Sequence, residues 1–224
     1  MEKFSLPSVD FYRFESEFVG TNMYLAIVNN EALIIDPHFD ENADRMLVGC
    51  TKVIVFLTHE HPDHTCGLPW LKEKFPVTLI CSKKCAEIIA VEKNNRPYLI
   101  TFVLAQKDVQ NSTHLLEKFA KAIQPYACIA DVTFDNEFDY KWQNLTFHFT
   151  PAAGHSQGGS LIYFGKEAVF TGDNLILDTP VITRFPGGSQ LEYDTRTKPL
   201  LNAIPNGTLI LTGHGKVFKK EEMQ

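Results

Sequence analysis

The chain has 224 residues, enough for one domain with a full hydrophobic core. Apolar residues make up 44% and charged residues 21%, an ordinary balance for a globular protein. The net charge of −6 argues against nucleic acid as the main partner, because phosphate contacts need clustered Lys and Arg. Only Lys83-Lys84 and Lys219-Lys220 cluster, and both read as solvated ends of elements.

The first twenty residues carry Glu2, Asp10, Glu15 and Glu17 without an apolar stretch, so no secretory signal is expected. No apolar run reaches the roughly 18 residues of a membrane-spanning helix. The five cysteines (50, 66, 81, 85, 128) are scattered and form no Cys-x-x-Cys pair. Reduced thiols and a cytoplasmic location are expected.

Asn22–Asn29 and Glu31–Asp36 read as two strands of a hairpin, with Asp36-Pro37 stopping the second. Residues 40–49 have weak helical character. Val53–Leu57 is a buried strand. Thr65–Phe75 reads as a short helix ended by Pro76, and Val77–Cys81 as a strand. Ser82 then caps a helix to about Val91. Residues 92–131 form an irregular, partly helical insertion. There Ser112 is the expected N-cap of a helix bearing Leu115, Leu116, Phe119, Ala122 and Ile123, closed by Pro125. This block contains no motif. It reads as packing, with a lid, a substrate wall or a homodimer contact as the functional alternatives. Strands follow at Leu145–Thr150, Ser160–Phe164, Ala168–Thr171 and Thr208–Thr212. Pro186-Gly187-Gly188 marks a loop, and a helix over Tyr193–Ile204 is expected to be interrupted by Pro199. Residues 1–224 read as a single domain without repeats or linkers.

Residues 59–64 spell His-Glu-His-Pro-Asp-His directly after the strand Val53–Leu57. Imidazole and carboxylate are ligands for Zn²⁺ and similar first-row metals. His155, Asp173 and His214 each follow a strand and sit beside glycine, and Asp36 ends another strand. Any one of these alone is more simply a surface or capping residue. Together His59, His61, Asp63, His64, His155, Asp173 and His214 are too many for one tetrahedral metal. They suit two metals sharing a carboxylate, with a position left open for catalysis.

The order His-x-His-x-Asp-His, Gly-His-Ser, Gly-Asp, Gly-His-Gly resembles the metallo-β-lactamase superfamily, over residues 31–215. The resemblance implies a four-layer αββα sandwich, two mixed β-sheets flanked by helices. It implies that His59, His61 and His155 hold one metal, that Asp63, His64 and His214 hold a second, and that Asp173 bridges them. Asp36 matches an aspartate that orients a ligand histidine. The family's following Pro-Gly is here Pro37-His38, and His38 reads as a surface residue.

Asp173 and the lack of a secretory signal argue against a true β-lactamase. The chain is most similar to short, single-domain glyoxalase II-like hydrolases. Thr183–Gly188 partly matches a loop of that group. Glyoxalase II itself has a C-terminal helical domain for glutathione, and only ten residues follow His214 here. The expected function is a metal-dependent hydrolase in which a metal-bridged hydroxide attacks a thioester or ester. A mononuclear-iron persulfide dioxygenase, a phosphodiesterase or nuclease, and a lactonase are the alternatives. Two divalent ions are expected, zinc first, with Fe or Mn also compatible. Asp63 and Asp36 are the catalytic candidates, Asp63 as a proton carrier. Arg184, Tyr193 and Lys216 are candidate contacts for a small-molecule substrate. Neither nucleic acid nor membrane is an expected partner. Glu60 reads as solvent-facing and Cys66 as a packing residue.

Overall fold

The computed structural model describes residues 1–95, 104, 105, 108 and 114–222. Among these, the first sheet has seven strands in chain order: β1 (Glu2–Leu6), β2 (Val9–Glu15), β3 (Asn22–Val28), β4 (Glu31–Ile35), β5 (Lys52–Phe56), β6 (Val77–Ser82) and β7 (Val132–Phe134). It is antiparallel from β1 to β4 and parallel from β4 to β7. The second sheet runs β13-β12-β11-β10-β9-β8. Its strands are β8 (Phe138–Trp142), β9 (Leu145–Pro151), β10 (Ser160–Phe164), β11 (Ala168–Gly172), β12 (Leu209–Thr212) and β13 (Phe218–Lys219). Only β11 and β12 pair in parallel there.

Helices α1 (Glu41–Met46), α2 (Pro62–Thr65), α3 (Leu68–Lys74), α4 (Lys83–Ile89) and α5 (Leu115–Ala122) follow in chain order. Near the C-terminus α6 (Gln190–Glu192), a π turn (Tyr193–Thr197) and α7 (Lys198–Ala203) run without a break. Pro199 therefore does not interrupt this segment. It falls in the first turn of α7, where the missing N–H is tolerated.

The layers follow from the period of two in each strand. In β5, Ile54 and Phe56 point to the space between the sheets, while Val53, Val55 and then Leu57 face the helices. Both faces are covered, which explains why this strand reads as an unbroken apolar run. Between the sheets, Phe11, Tyr24 and Phe56 meet Phe147, Phe149 and Phe170. Outside the first sheet, Ala43, Leu47, Leu68, Leu71 and Cys85 cover it. Outside the second, Leu201 and Ile204 pack on Leu161, Val169 and Ile210. The result is the expected αββα sandwich. None of the described helices is long and apolar enough to cross a membrane.

Most expected elements lie within a few residues of their predicted places. Ser82 caps α4 as predicted, its hydroxyl accepting from the Cys85 N–H. Ser112, the expected cap of α5, lies outside the described residues. The N–H groups of Leu115 and Leu116 instead donate to the carboxylate of Asp108. The strands β7, β8 and β13 and the division of the N-terminal segment into β1 and β2 were not anticipated.

Phe56 is fully buried and meets Tyr140, Phe147 and Phe149 edge-on, with ring centroids 5.6, 5.2 and 4.9 Å away. It is the pin between the sheets. Phe56→Ala should cost about 3–5 kcal/mol of stability in urea unfolding. A loss below about 1 kcal/mol would mean that the sheets close without it.

Candidate metal centre

The strands β4 and β5 are parallel, and β9, β11 and β12 all run in one direction. Their C-terminal ends therefore emerge at one edge of the sandwich. The edges of the two sheets are tied there by Ser160 N–H donating to Thr58 O and Asn22 N–H donating to Gly213 O. Loops from both sheets place His59, His61, Asp63, His64, His155, Asp173 and His214 against one another.

One ligand atom from each of His59, His61 and His155 lies within 4.8 Å of the others. The same holds for Asp63, His64 and His214. In the first trio His155 Nε2 and His61 Nδ1 are 3.0 Å apart. In the second, His214 Nε2 is 3.2 Å from Asp63 Oδ2 and 3.3 Å from His64 Nε2. Asp173 stands between the trios. Its Oδ2 is 3.5 Å from both His155 Nε2 and His214 Nε2, and its Oδ1 is 3.3 Å from His64 Nε2.

Glycine makes this crowding sterically feasible at two points. Gly172, at φ 51°, lies where a Cβ would come within 2.5 Å of Thr58 Oγ1. A Cβ on Gly213 would stand 2.3 Å from Asp173 Oδ1 and 2.8 Å from His64 Cε1.

Asp36 is buried and groups with His59 and His64 in space, but its carboxylate is already used. Oδ1 accepts from Thr58 N–H at 2.7 Å. Oδ2 accepts from Thr58 Oγ1 at 2.5 Å and from His64 Nδ1 at 2.9 Å. Asp36 is thus placed to orient a histidine rather than to hold a cation itself. Thr58 has one hydroxyl proton and gives it to Asp36. His59 Nδ1, 3.0 Å from Thr58 Oγ1, must therefore be the donor in that contact. His155 Nδ1 donates to Ile182 O at 2.8 Å. With Nδ1 engaged in this way, His59, His64 and His155 each turn Nε2 inward.

The donor set fits a cation. His59 Nε2 and Asp173 Oδ1 are buried without a hydrogen-bond partner. Such an orphaned group typically costs about 1–3 kcal/mol. Burial, reinforced by the other imidazoles, holds His59 well below the ordinary histidine pKa and brings His61 to about 4. Burial also opposes charge on His64, yet Asp63, Asp173 and Asp36 outweigh it and raise the pKa. His214 is raised in the same way by Asp173 and Asp63. Burial would raise both Asp63 and Asp173, and the surrounding imidazoles hold them well below the carboxylate range instead.

Several residues differ from expectation. Glu60 is buried rather than solvent-facing. Its carboxylate accepts from Ser156 Oγ at 3.0 Å, Gln157 N–H at 3.2 Å and Gly158 N–H at 3.1 Å. It thereby fastens the loop carrying His155 to the loop carrying His59 and His61. Burial raises its pKa, against the pull of these donors. His38 is buried too, with its ring nitrogens 3.2 Å from Phe39 O and Phe14 O. The Cys66 thiol is pushed up to about 12 by burial and by Asp63, which suits packing rather than reactivity. Thr21 was not foreseen: its hydroxyl donates to Asp63 Oδ2 at 2.9 Å, and the residue pairs with His214 in an isolated bridge. Asn22 and Tyr24 fix the same loop by donating to Thr212 O at 3.0 and 2.7 Å.

A cavity of about 360 Å³ opens on the cluster. Beside His61, Asp63, Asp173 and His214, its wall is formed by Val19, Ile176, Ile182 and Phe185. Arg184, Tyr193 and Lys216 do not line it. Arg184 and Lys216 are exposed, and the Tyr193 backbone packs against Gly154 while its hydroxyl donates to Asn174 O.

A family model described as the metallo-beta-lactamase superfamily matches residues 17–214, which include every member of the cluster. The chain belongs to the metallo-beta-lactamase superfamily. It is similar to a probable metallo-hydrolase, YqgX, of Bacillus subtilis (strain 168), with 27% identity over 202 residues, 88% of this chain and 86% of the relative. Among solved structures, BLEG-1 B3 metallo-beta-lactamase superposes with a TM-score of 0.71 at 22% identity, covering 95% of both chains. TTHA1623 in a di-iron-bound form gives a TM-score of 0.70 at 19% identity, covering 94% of this chain and 95% of its own. At these identities the structures show a shared fold. The chain carries, within the matched residues, a His/Asp cluster suited to divalent metal.

Two substitutions test the supports of the cluster. Asp36→Ala should weaken zinc affinity by about 10–100-fold in calorimetry, since it frees His64 directly and His59 through Thr58. Unchanged affinity would show that the imidazoles hold their orientation without it. Glu60→Gln places an amide NH₂ among N–H donors and should lower stability by about 1–3 kcal/mol in urea unfolding. An unchanged midpoint would remove Glu60 from the scaffold of the site.

Proposed function

We propose that the protein is a dinuclear metallohydrolase that cleaves a thioester or ester of a small molecule, in the manner of glyoxalase II-like enzymes. The observation that carries this reading is Asp173, whose carboxylate spans the two trios of candidate ligands at the mouth of a cavity. In this reading His59, His61 and His155 hold one cation, Asp63, His64 and His214 hold the other, and Asp173 is shared. Imidazole and carboxylate suit Zn, Fe and Mn alike; zinc is the expected metal, and iron is supported by the di-iron form of a protein of like fold.

When bound, such a pair supplies a hydroxide nucleophile at neutral pH and stabilises developing negative charge. The chain itself supplies orientation. Asp36, Thr58 and the Ile182 carbonyl set the faces of three imidazoles. Thr21 steadies Asp63, which lines the cavity and is placed to pass a proton to the departing sulfur or oxygen. Water adds to the carbonyl carbon, the carbon–sulfur or carbon–oxygen ester bond breaks, and the products are a carboxylic acid and a thiol or alcohol.

Elemental mass spectrometry of the purified protein should find two Zn, Fe or Mn per chain. Asp173→Ala should lose metal and hydrolysis of thioesters together. Retention of two metals in that variant would sink the shared-carboxylate assignment, and a single iron per wild-type chain would sink the dinuclear reading.

A further inference from the structure

The wall of the cavity departs from what a charged substrate would require. Among the described residues, no Lys or Arg lines it. Arg13 lies close by but is committed, donating to Gly215 O at 2.6 Å and pairing with Glu2 at 3.0 Å. The only charged or titratable groups in the lining belong to the metal cluster. The rest of the wall is largely aliphatic and aromatic.

That wall is tied to the cluster. Phe185 presents its ring nearly perpendicular to His61 and His155, with centroids 6.1 and 6.4 Å away. Ile182 contributes its side chain to the wall, while its carbonyl accepts from His155 Nδ1. Ile176 lines the cavity from a loop closed by a bridge to Thr179, and Val19 lines it from the segment before β3. A group seated there lies directly beside the carbonyl-cleaving centre. A carboxylate seated on this apolar wall, out of reach of the cations that the cluster would hold, would lose its hydration without gaining a cationic partner, a costly transfer. An alkyl or aryl group would gain the full benefit of burial.

We propose that this cavity is an acyl subsite for an uncharged aliphatic or aromatic acyl group, and that it discriminates against acyl groups bearing a second carboxylate. The proposal rests on the thioester or ester hydrolase reading above for its turnover arm only. A volume of about 360 Å³ is near the lower end of small-molecule pockets, which suits a short to medium acyl chain rather than a bulky conjugate.

The test uses the metal-loaded full chain and thioesters of N-acetylcysteamine with acetyl, butyryl, hexanoyl and succinyl groups. The expected kcat/KM rises about two- to fourfold per methylene from acetyl to hexanoyl. The succinyl thioester should fall at least about tenfold below the butyryl one. Ile176→Lys, with metal content verified, should narrow that succinyl-to-butyryl gap. A flat series, or a preference for succinyl, overturns the proposal. Binding of butyrate, hexanoate and succinate, read by calorimetry, separates the two readings. Tighter binding of hexanoate than butyrate, with succinate weakest and no thioester turned over, upholds the subsite and sinks the hydrolase reading. No gain from butyrate to hexanoate overturns the subsite whatever the turnover.

Discussion

The Asp36 carboxylate is the constraint on which the arrangement of the site depends. It sits at the end of β4 with φ 54°, a left-handed conformation that Asp tolerates better than most residues. That backbone turn brings the carboxylate beneath the first loop after β5. There it takes both the N–H and the hydroxyl of Thr58, and the Nδ1 of His64. One acid thereby fixes the start of the ligand loop, one imidazole directly, and a second through a hydroxyl whose only proton is spoken for. Because carboxylates accept and do not donate, the direction of every hydrogen bond in the chain is determined. The tautomers of His59 and His64 follow from Asp36 alone.

Placing so many polar groups at one edge is costly, and the fold confines that cost. The apolar strands end where the cluster begins: Phe56 and Leu57 are fully buried, and His59 follows two positions later. The positive and negative groups are nearly matched, so the imidazoles of His64 and His214 and the carboxylates of Asp63 and Asp173 restrain one another. Two atoms of the cluster, His59 Nε2 and Asp173 Oδ1, still remain without hydrogen bonds. Buried groups left so are rare in native proteins and point to a ligand that completes them.

Much of this was legible in the sequence, for identifiable reasons. The hexapeptide from His59 to His64, and strand ends bearing His or Asp beside glycine at His155, Asp173 and His214, mark loops at a sheet edge, and all seven residues come together. The strands of the sandwich interior were readable because both faces are apolar, as in Val53–Leu57. Glu60 was misread because the alternation of a strand was carried into residues that no longer form one. At that point the chain is turning into α2, and the side chain between His59 and His61 reaches a third loop rather than solvent. His38 was misread because nothing local distinguishes a buried imidazole bonded to carbonyls from an exposed one. β8 was overlooked although Phe138-Asp-Tyr-Lys-Trp142 alternates, because no motif drew attention to it. Arg184, Tyr193 and Lys216 were chosen for their chemistry, whereas the cavity is walled by apolar side chains whose role depends on three-dimensional placement.

The loop from Ile176 to Pro186 joins orientation to recognition. Its Ile182 carbonyl fixes His155, while Ile176, Ile182 and Phe185 form the wall. A backbone shift at Ile182 would therefore move a ligand as well as reshape the cavity. Ile176 belongs to a turn closed by its own bridge to Thr179. Val19 reaches the wall from the segment before β3 and packs as well against the cluster of Leu104 and Phe119. Change at Ile182 or Phe185 would act on the wall and on the imidazoles together, because the carbonyl of the first accepts from His155 and the ring of the second stands against His61 and His155.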